Sequence, residues 1–377
     1  NPLFVDALNG NYRLTGASPG RNAGTNVADA GAVDLDDNPR ITLGDGVGIV
    51  DMGSYEVAAM TGLAPDFNAT PSMGLTPLQS VFTATVLGDA TGLYCWWDFD
   101  HDGNAETNGA GLTVVTNIYT APGFYSVNLI VSNAAGIMTN ELKPGLLVAV
   151  APTMYVATNS ALPQFPYDTW STAATNLADA LAYQQNGGLI LMGHGTYPLA
   201  AEQILSKGIT LRGYHGPSNT ILQRVSGSYR LFSLIHSNAV LDGLTLANGY
   251  QPASQQGGNV WMNGGMLTNC IVRGGETYRG GGSGIYMSGG LVTHCVITNN
   301  VGTADQSGRY SIGGGGVLID GGMVWNSLIA HNRNNGAENT GSADIVSPLA
   351  GGGVRSRGGV VRNCLIRDNT VTEIRGY

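Results

Sequence analysis

The sequence predicts an all-β chain whose second half is a solenoid of stacked strands, and three observations carry that expectation. The first is a repeated register. Gly264-Gly265, Gly289-Gly290, Gly321-Gly322 and Gly358-Gly359 are followed by the apolar-rich stretches Met266–Val272, Leu291–Ile297, Met323–Ile329 and Val360–Ile366. The second is what flanks them. Val260, Ile285, Val317 and Val354 each stand five residues ahead of the second glycine, and Gly275, Asn300, Asn332 and Asn369 stand ten behind it. The third is the shortness of the apolar runs, broken by Gly and Asn, which favours strands and tight turns over helices.

Equivalent residues in such a register must stack. The second glycines lie 25, 32 and 37 residues apart, a spacing that suits about three short strands per coil, each coil burying its apolar face on the next. The inward columns are then Val260/Ile285/Val317/Val354, Cys270/Cys295/Ser327/Cys364 and Val272/Ile297/Ile329/Ile366. Asn300, Asn332 and Asn369 are expected to form a ladder at a turn, where Asn tolerates left-handed backbone and its amide can pair with its copy above. An earlier copy without the glycine pair fits the frame, with Val240, Leu241, Leu244 and Leu246 in the apolar slots and Gly249 closing it. This organisation resembles the right-handed parallel β-helix of the pectate-lyase-like superfold, over roughly residues 153–377.

Composition agrees. The chain has 377 residues, 57 of them glycine and only 11% charged, too apolar for disorder and without the strict triplet of collagen. A net charge of −9 argues against nucleic acid, which calls for a basic face. No apolar run is long enough to span a membrane. Of the cysteines Cys95, Cys270, Cys295 and Cys364, three share one inward slot of the repeat. They read as a buried column of small side chains. CxxC spacing is absent, which leaves no zinc signature, and a disulfide between neighbouring coils is the weaker alternative.

In chain order, residues 1–58 carry Asn1-Pro2-Leu3-Phe4-Val5-Asp6, Tyr12-Arg13-Leu14, Ser18-Pro19 and Asp51-Met52-Gly53-Ser54-Tyr55-Glu56. These words resemble the closing segment of bacterial surface β-helices of the choice-of-anchor Q type. Residues 61–152 alternate with the period of sandwich strands. Trp97-Asp98-Phe99 followed by Tyr119 and Gly123-Phe124-Tyr125-Ser126-Val127-Asn128-Leu129-Ile130-Val131-Ser132-Asn133 is similar to the PKD domain, a spacer or weak binding module. Within it, Asp98, Asp100, Asp102, Asn104 and Glu106 form a DxDxDGxxE string. Carboxylates at alternate positions with a turn glycine are what a hard oxygen-seeking cation requires, so Ca2+ is a candidate cofactor. Gly109 at the twelfth position rules out a full EF-hand loop; the competing reading is a polar hairpin in which Asp98 belongs to the strand signature.

From Thr153 the second β-helix begins. Trp170–Leu181 has helical spacing, with Leu177 and Leu181 at i, i+4 and Ser171 or Thr172 as N-cap, and a helix there would cap the open end of the solenoid. The first coils are Gly188–Met192, Gly208–Leu211 and the copy from Val240 onward. Residues 276–281, 302–313 and 333–350 lengthen successive coils at one corner. Tyr278, Arg279, Arg309, Tyr310 and Arg333 lie on that wall, and Tyr and Arg beside a groove suit polysaccharide; ordinary surface loops are the competing reading.

Enzymes of this fold class need acids gathered in one groove. Asp242, Glu276, Asp305, Asp320, Asp344 and Asp368 share no column and form no DD or DxD pair. His294 falls in the Asn269/Asn326/Asn363 column and reads as a ladder substitute. The expectation is therefore an extracellular or cell-surface structural and adhesive protein without catalysis, the alternative being a polysaccharide-binding or polysaccharide-cleaving one. The order of units, the end of one β-helix followed by the beginning of another, is expected either of a window from a tandem array or of head-to-tail self-assembly through residues 1–58 and 351–377.

Overall fold

Among the described residues the chain is all-β with one short helix. The structure, a computed structural model, describes residues 2–7, 11–14, 18–20, 23–25, 33–35, 50–55, 62–252, 254–303, 313–337 and 351–374. It divides into two compact units, residues 1–120 with 124–149, and residues 121–123 with 150–377.

In the first unit, Phe4–Asp6 and Asn11–Leu14 pair as an antiparallel hairpin. Short backbone links tie separate words of the sequence together: Met52 N donates to Gly20 O at 2.8 Å, Gly24 N to Val50 O at 2.9 Å and Leu35 N to Ser54 O at 3.1 Å. The Arg13 guanidinium lies 4.6 Å from the centre of the Tyr55 ring. The rest of the unit is a β-sandwich. One sheet orders Met73–Leu75, Met138–Val150, Gly123–Ser132, Tyr94–Asp98 and Thr107–Ala110; the other orders Ala64–Thr70, Leu78–Leu87 and Val114–Tyr119. Alternation decides which side chains face inward. Phe82, Cys95, Trp97, Val127, Leu129 and Val131 are fully buried, and Trp97 packs against Phe67, Phe82 and Phe99 with ring centres 5.2, 5.7 and 6.0 Å away. The indole N–H of Trp97 donates to Leu112 O at 2.9 Å, so the largest core side chain buries no unpaired donor.

The second unit is a parallel β-helix. Its first sheet has eight strands from Thr153–Val156 to Val360–Arg362, its second seven from Gly195–Leu199 to Leu365–Arg367, and its third six from Gln203–Leu205 to Val354–Ser356. The register expected from the glycine pairs is the register observed. Ile285 pairs with Val317 and Val317 with Val354, while Val272, Ile297, Ile329 and Ile366 follow one another down the second sheet. Three members of that last column are fully buried, each contributing about 1.5–3 kcal/mol of apolar burial.

Four corrections to the sequence reading emerge. The coils carry four strands, not three, once past the early turns. Tyr250–Gln251, Glu276–Tyr278, Val301–Thr303, Arg333–Ala337 and Thr370–Ile374 form a fourth parallel sheet, built where loops were expected. Second, the asparagine ladder exists, but its members are not the left-handed residues. Those are the preceding ones, Asn299 (φ 54°), His331 (φ 57°) and Asp368 (φ 53°); they turn the chain so that Asn300, Asn332 and Asn369 point inward. Third, the ladder gains a rung from a loop. Asn259 fills the space beside Gly275 and donates to Asn300 Oδ1 at 3.2 Å. Fourth, the helix spans Leu177–Tyr183 with Asn176 as N-cap, its side chain accepting from Asp179 N. The segment before it turns and then meets the first strand, where Ala174 bridges Val156 and donates to Tyr155 O at 2.9 Å. Pairing to the first strand outweighs local helix spacing there.

The turn column Asn269, His294, Asn326 and Asn363 is left-handed throughout, with φ of 53°, 53°, 48° and 52°, and His294 does substitute for asparagine in it. The cysteine column is buried at Cys270 and Cys295, half-buried at Cys364, and all of its thiols are free. Each thiol points to the carbonyl two residues back, Cys270 to Thr268 O at 3.2 Å and Cys295 to Thr293 O at 3.2 Å, and Ser327 repeats the bond to Trp325 O at 2.8 Å. The slot therefore selects a small side chain with a weak donor. Burial pushes the Cys270 thiol well above its ordinary range, so it is inert rather than reactive.

Candidate functional site

The acidic loop of the sandwich joins Tyr94–Asp98 to Thr107–Ala110. Because Trp97 must point into the core, alternation is interrupted at Asp98, which stays 3% exposed at the strand end. Gly103 (φ 94°) and His101 (φ 60°) then reverse the chain. The loop is braced by its own acids: Gly103 N donates to Asp98 Oδ2 at 3.0 Å, Phe99 N to Glu106 Oε2 at 2.6 Å and Asp102 N to Asp100 Oδ1 at 3.2 Å. Asn104 donates to Asp102 Oδ1 through its backbone at 2.8 Å and its amide at 3.2 Å, so in this arrangement it orients Asp102. From below, the Tyr119 hydroxyl donates to Phe99 O at 3.1 Å.

The result brings one oxygen from each of Asp98, Asp100, Asp102 and Glu106 within 4.8 Å of one another. Oxygens on opposite sides of one Ca2+ lie about 4.6–5.2 Å apart, so this set fits a single such ion. Asp98 carries a further mark of the site: its Oδ1 is buried and has no hydrogen-bond partner, a costly arrangement for a carboxylate without a compensating charge. The residues present therefore suit a hard divalent cation, whose role would be to neutralise the cluster and pin the loop to the core strand.

The wall of the solenoid is only partly brought together. Glu276, Val301 and Arg333 are in register on the fourth sheet, as are Tyr278, Thr303 and Asn335. Tyr278 and Arg333 thus lie on strands rather than loops, two coils apart. The Arg279 guanidinium stands 5.1 Å from the Tyr278 ring, and Arg333 Nε donates to Thr372 Oγ1 at 3.3 Å. Arg309 and Tyr310 lie outside the described residues, as do Asp305 and Asp344.

Of the remaining acids, Asp242 ends a strand of the first sheet, Asp320 follows a strand of the third, and Asp368 follows one of the second, which places them on three different faces. Each meets an arginine: Arg212 at 2.7 Å from Asp242, Arg367 at 2.6 Å from Asp368, and Arg357 beside Asp320. Sequence reading did not pair Asp320 with Arg357 or Tyr286, although Tyr286 donates to Asp320 Oδ2 at 2.9 Å. The signal for Arg357 was in the register, since Ile319 pairs with Ser356 and the next residues on the two coils are Asp320 and Arg357. The Arg357 bond holds the Asp320 carboxyl below its ordinary value, which is the opposite of what a proton donor needs. That pair has a pH signature. Asp320 contributes stability that is present above about pH 4 and lost as pH falls through its depressed folded value. With the two side chains 26% and 40% exposed, Asp320→Asn should cost at most about 1 kcal/mol at pH 7, a difference that shrinks below pH 4 in urea titrations.

Among the described residues, no helix is long and apolar enough to cross a membrane. No family model matches this chain, and neither a curated protein nor a solved structure matches it.

Proposed function

We propose that the chain is a non-catalytic structural and adhesive module presented outside the cell, a unit of a surface fibre in which coils are stacked end to end. The observation that carries this reading is the unbroken in-register stacking of parallel strands, on which Asp242, Asp320 and Asp368 are paired with arginines rather than gathered in one groove. In the last described coil Ile366 is 48% exposed whereas Ile329, one coil above it in the same column, is fully buried; Leu365 is 59% and Val371 46% exposed beside it. A further layer of strands, from a continuing array or from a second copy, would bury these side chains.

Two further features support the reading. The described residues between 2 and 55 line an apolar hollow of about 900 Å3, Phe4, Tyr12, Leu14, Leu35 and Met52 among them, a face whose chemistry suits the apolar side chains of a coil. The resemblance of this segment to closing segments of bacterial surface β-helices, and of the sandwich to PKD spacers, points the same way. The association would be heterologous and open, which builds fibres rather than closed dimers. The dispersion of the described acids over four sheets favours this over polysaccharide cleavage.

Sedimentation velocity and electron microscopy of the purified chain over a range of concentrations test the proposal. Concentration-dependent filaments, lost in Ile366→Lys, are the expected result for assembly between copies. A strictly monomeric chain restricts the reading to a tandem array. Release of oligosaccharides from a panel of plant and bacterial polysaccharides would overturn it.

A further inference from the structure

A hollow of about 470 Å3 opens near the start of the β-helix and is lined by Asn159, Trp170, Ser171, His194, Tyr214 and His215 over a floor that includes Gly193. Its wall is aromatic. Trp170 packs on Tyr155 at 4.6 Å between ring centres and meets Tyr214 at 5.5 Å and 57°. Tyr214 meets His215 at 4.8 Å, and His215 meets His194 at 6.1 Å. The two largest rings remain open to solvent, Trp170 by 39% and Tyr214 by 58%.

The floor is fixed. Gly193 O accepts from the Tyr197 hydroxyl at 3.0 Å and from Thr220 Oγ1 at 3.2 Å, and a side chain at Gly193 would press on Trp170 Cζ3 at 3.3 Å. With a Cβ at this position the Trp170 ring would have to give by a few tenths of an ångström. Exposed aromatic area of this size, preorganised at an angle and rimmed by an amide, a hydroxyl and two imidazoles, is unusual for surface that only meets water.

We infer that this hollow binds a neutral pyranose glycan, with sugar faces stacked on Trp170 and Tyr214 and hydroxyls bonded by Asn159, Ser171 and the two imidazoles. Charge selects the class of ligand. None of the lining residues is an acid, a lysine or an arginine, so a uronate or phosphate would find no fixed counter-charge, whereas neutral sugars present C–H faces and hydroxyls that match rings and polar tips. The inference is independent of how the coils assemble: a monomer would bind equally well, and a fibre would display one such hollow per unit.

Calorimetric titration of the whole chain with cellotetraose, triacetylchitotriose and trigalacturonate tests it. The expected result is saturable binding of at least one neutral sugar, none of trigalacturonate, and about tenfold or greater weakening by Trp170→Ala and by Tyr214→Ala. Should Trp170→Ala fail to fold, the exposed Tyr214 gives the deciding variant, and Gly193→Ala should weaken binding by lifting the indole. No saturation by either neutral sugar at about 10 mM, equal binding of trigalacturonate, or affinity unchanged in Tyr214→Ala and Trp170→Ala would each overturn the inference.

Discussion

Replacing Asn332 by glycine is expected to cost about 3–5 kcal/mol, while replacing its neighbour His331 by glycine should change stability by less than about 1 kcal/mol. The two positions divide one turn between them. Asn332 is fully buried, and its amide donates to Ile297 O at 2.9 Å, Ala330 O at 3.1 Å and Asn369 Oδ1 at 3.0 Å. Its Oδ1 accepts from Asn300 N at 3.1 Å and from the Asn300 amide at 2.8 Å. Removing the side chain leaves several buried groups of three coils unpaired, at about 1–3 kcal/mol for each that water cannot reach. His331, by contrast, serves through its backbone at φ 57°, a conformation glycine adopts without strain, and its ring meets Asp368 only at 3.9 Å. Equilibrium urea unfolding of the two variants checks the contrast. Equal losses would mean that the turn conformation, not the amide ladder, holds the corner.

That division of labour also marks how far the sequence could be read. The buried columns were legible because the apolar slots are filled by near-identical residues at fixed distances from each glycine pair. The ladder was legible for the same reason, but the assignment of left-handed backbone to it was not, since Asn299 and Asn300 look alike and only the direction of the turn separates them. The fourth sheet was hidden because its members share no chemistry: Glu276, Val301, Arg333 and Thr370 occupy one position, joined by backbone pairing alone. The start of the helix was misplaced because Ala174 is claimed by the first strand, a tertiary contact that periodicity does not record. Local sites behave differently again. The acidic loop could be read because its acids stand at alternate positions of one short stretch, whereas the Trp170 hollow draws on residues from Ala157 to His215 that obey no period.

Calcium at about a hundred times its dissociation constant is expected to stabilise the sandwich by about 2.7 kcal/mol, and Asp98→Asn should abolish that response. The sign of the variant's effect without calcium is the more telling part. In the metal-free loop, four carboxylates crowd within 4.8 Å and Asp98 Oδ1 is buried without a partner, so the cluster strains the fold it belongs to. An asparagine keeps the bond from Gly103 N, removes one charge, and offers its amide to the neighbouring acids. Asp98→Asn in chelator should therefore be at least as stable as the wild-type chain, although it replaces a buried residue of the core strand. A purely structural Asp98, valued for its turn bond alone, predicts the reverse: a loss in chelator and no calcium response in either protein. Differential scanning calorimetry of both proteins, in chelator and in millimolar calcium, distinguishes the two, and magnesium serves as the control because it demands near-ideal octahedral geometry at shorter bonds and gives up its waters reluctantly.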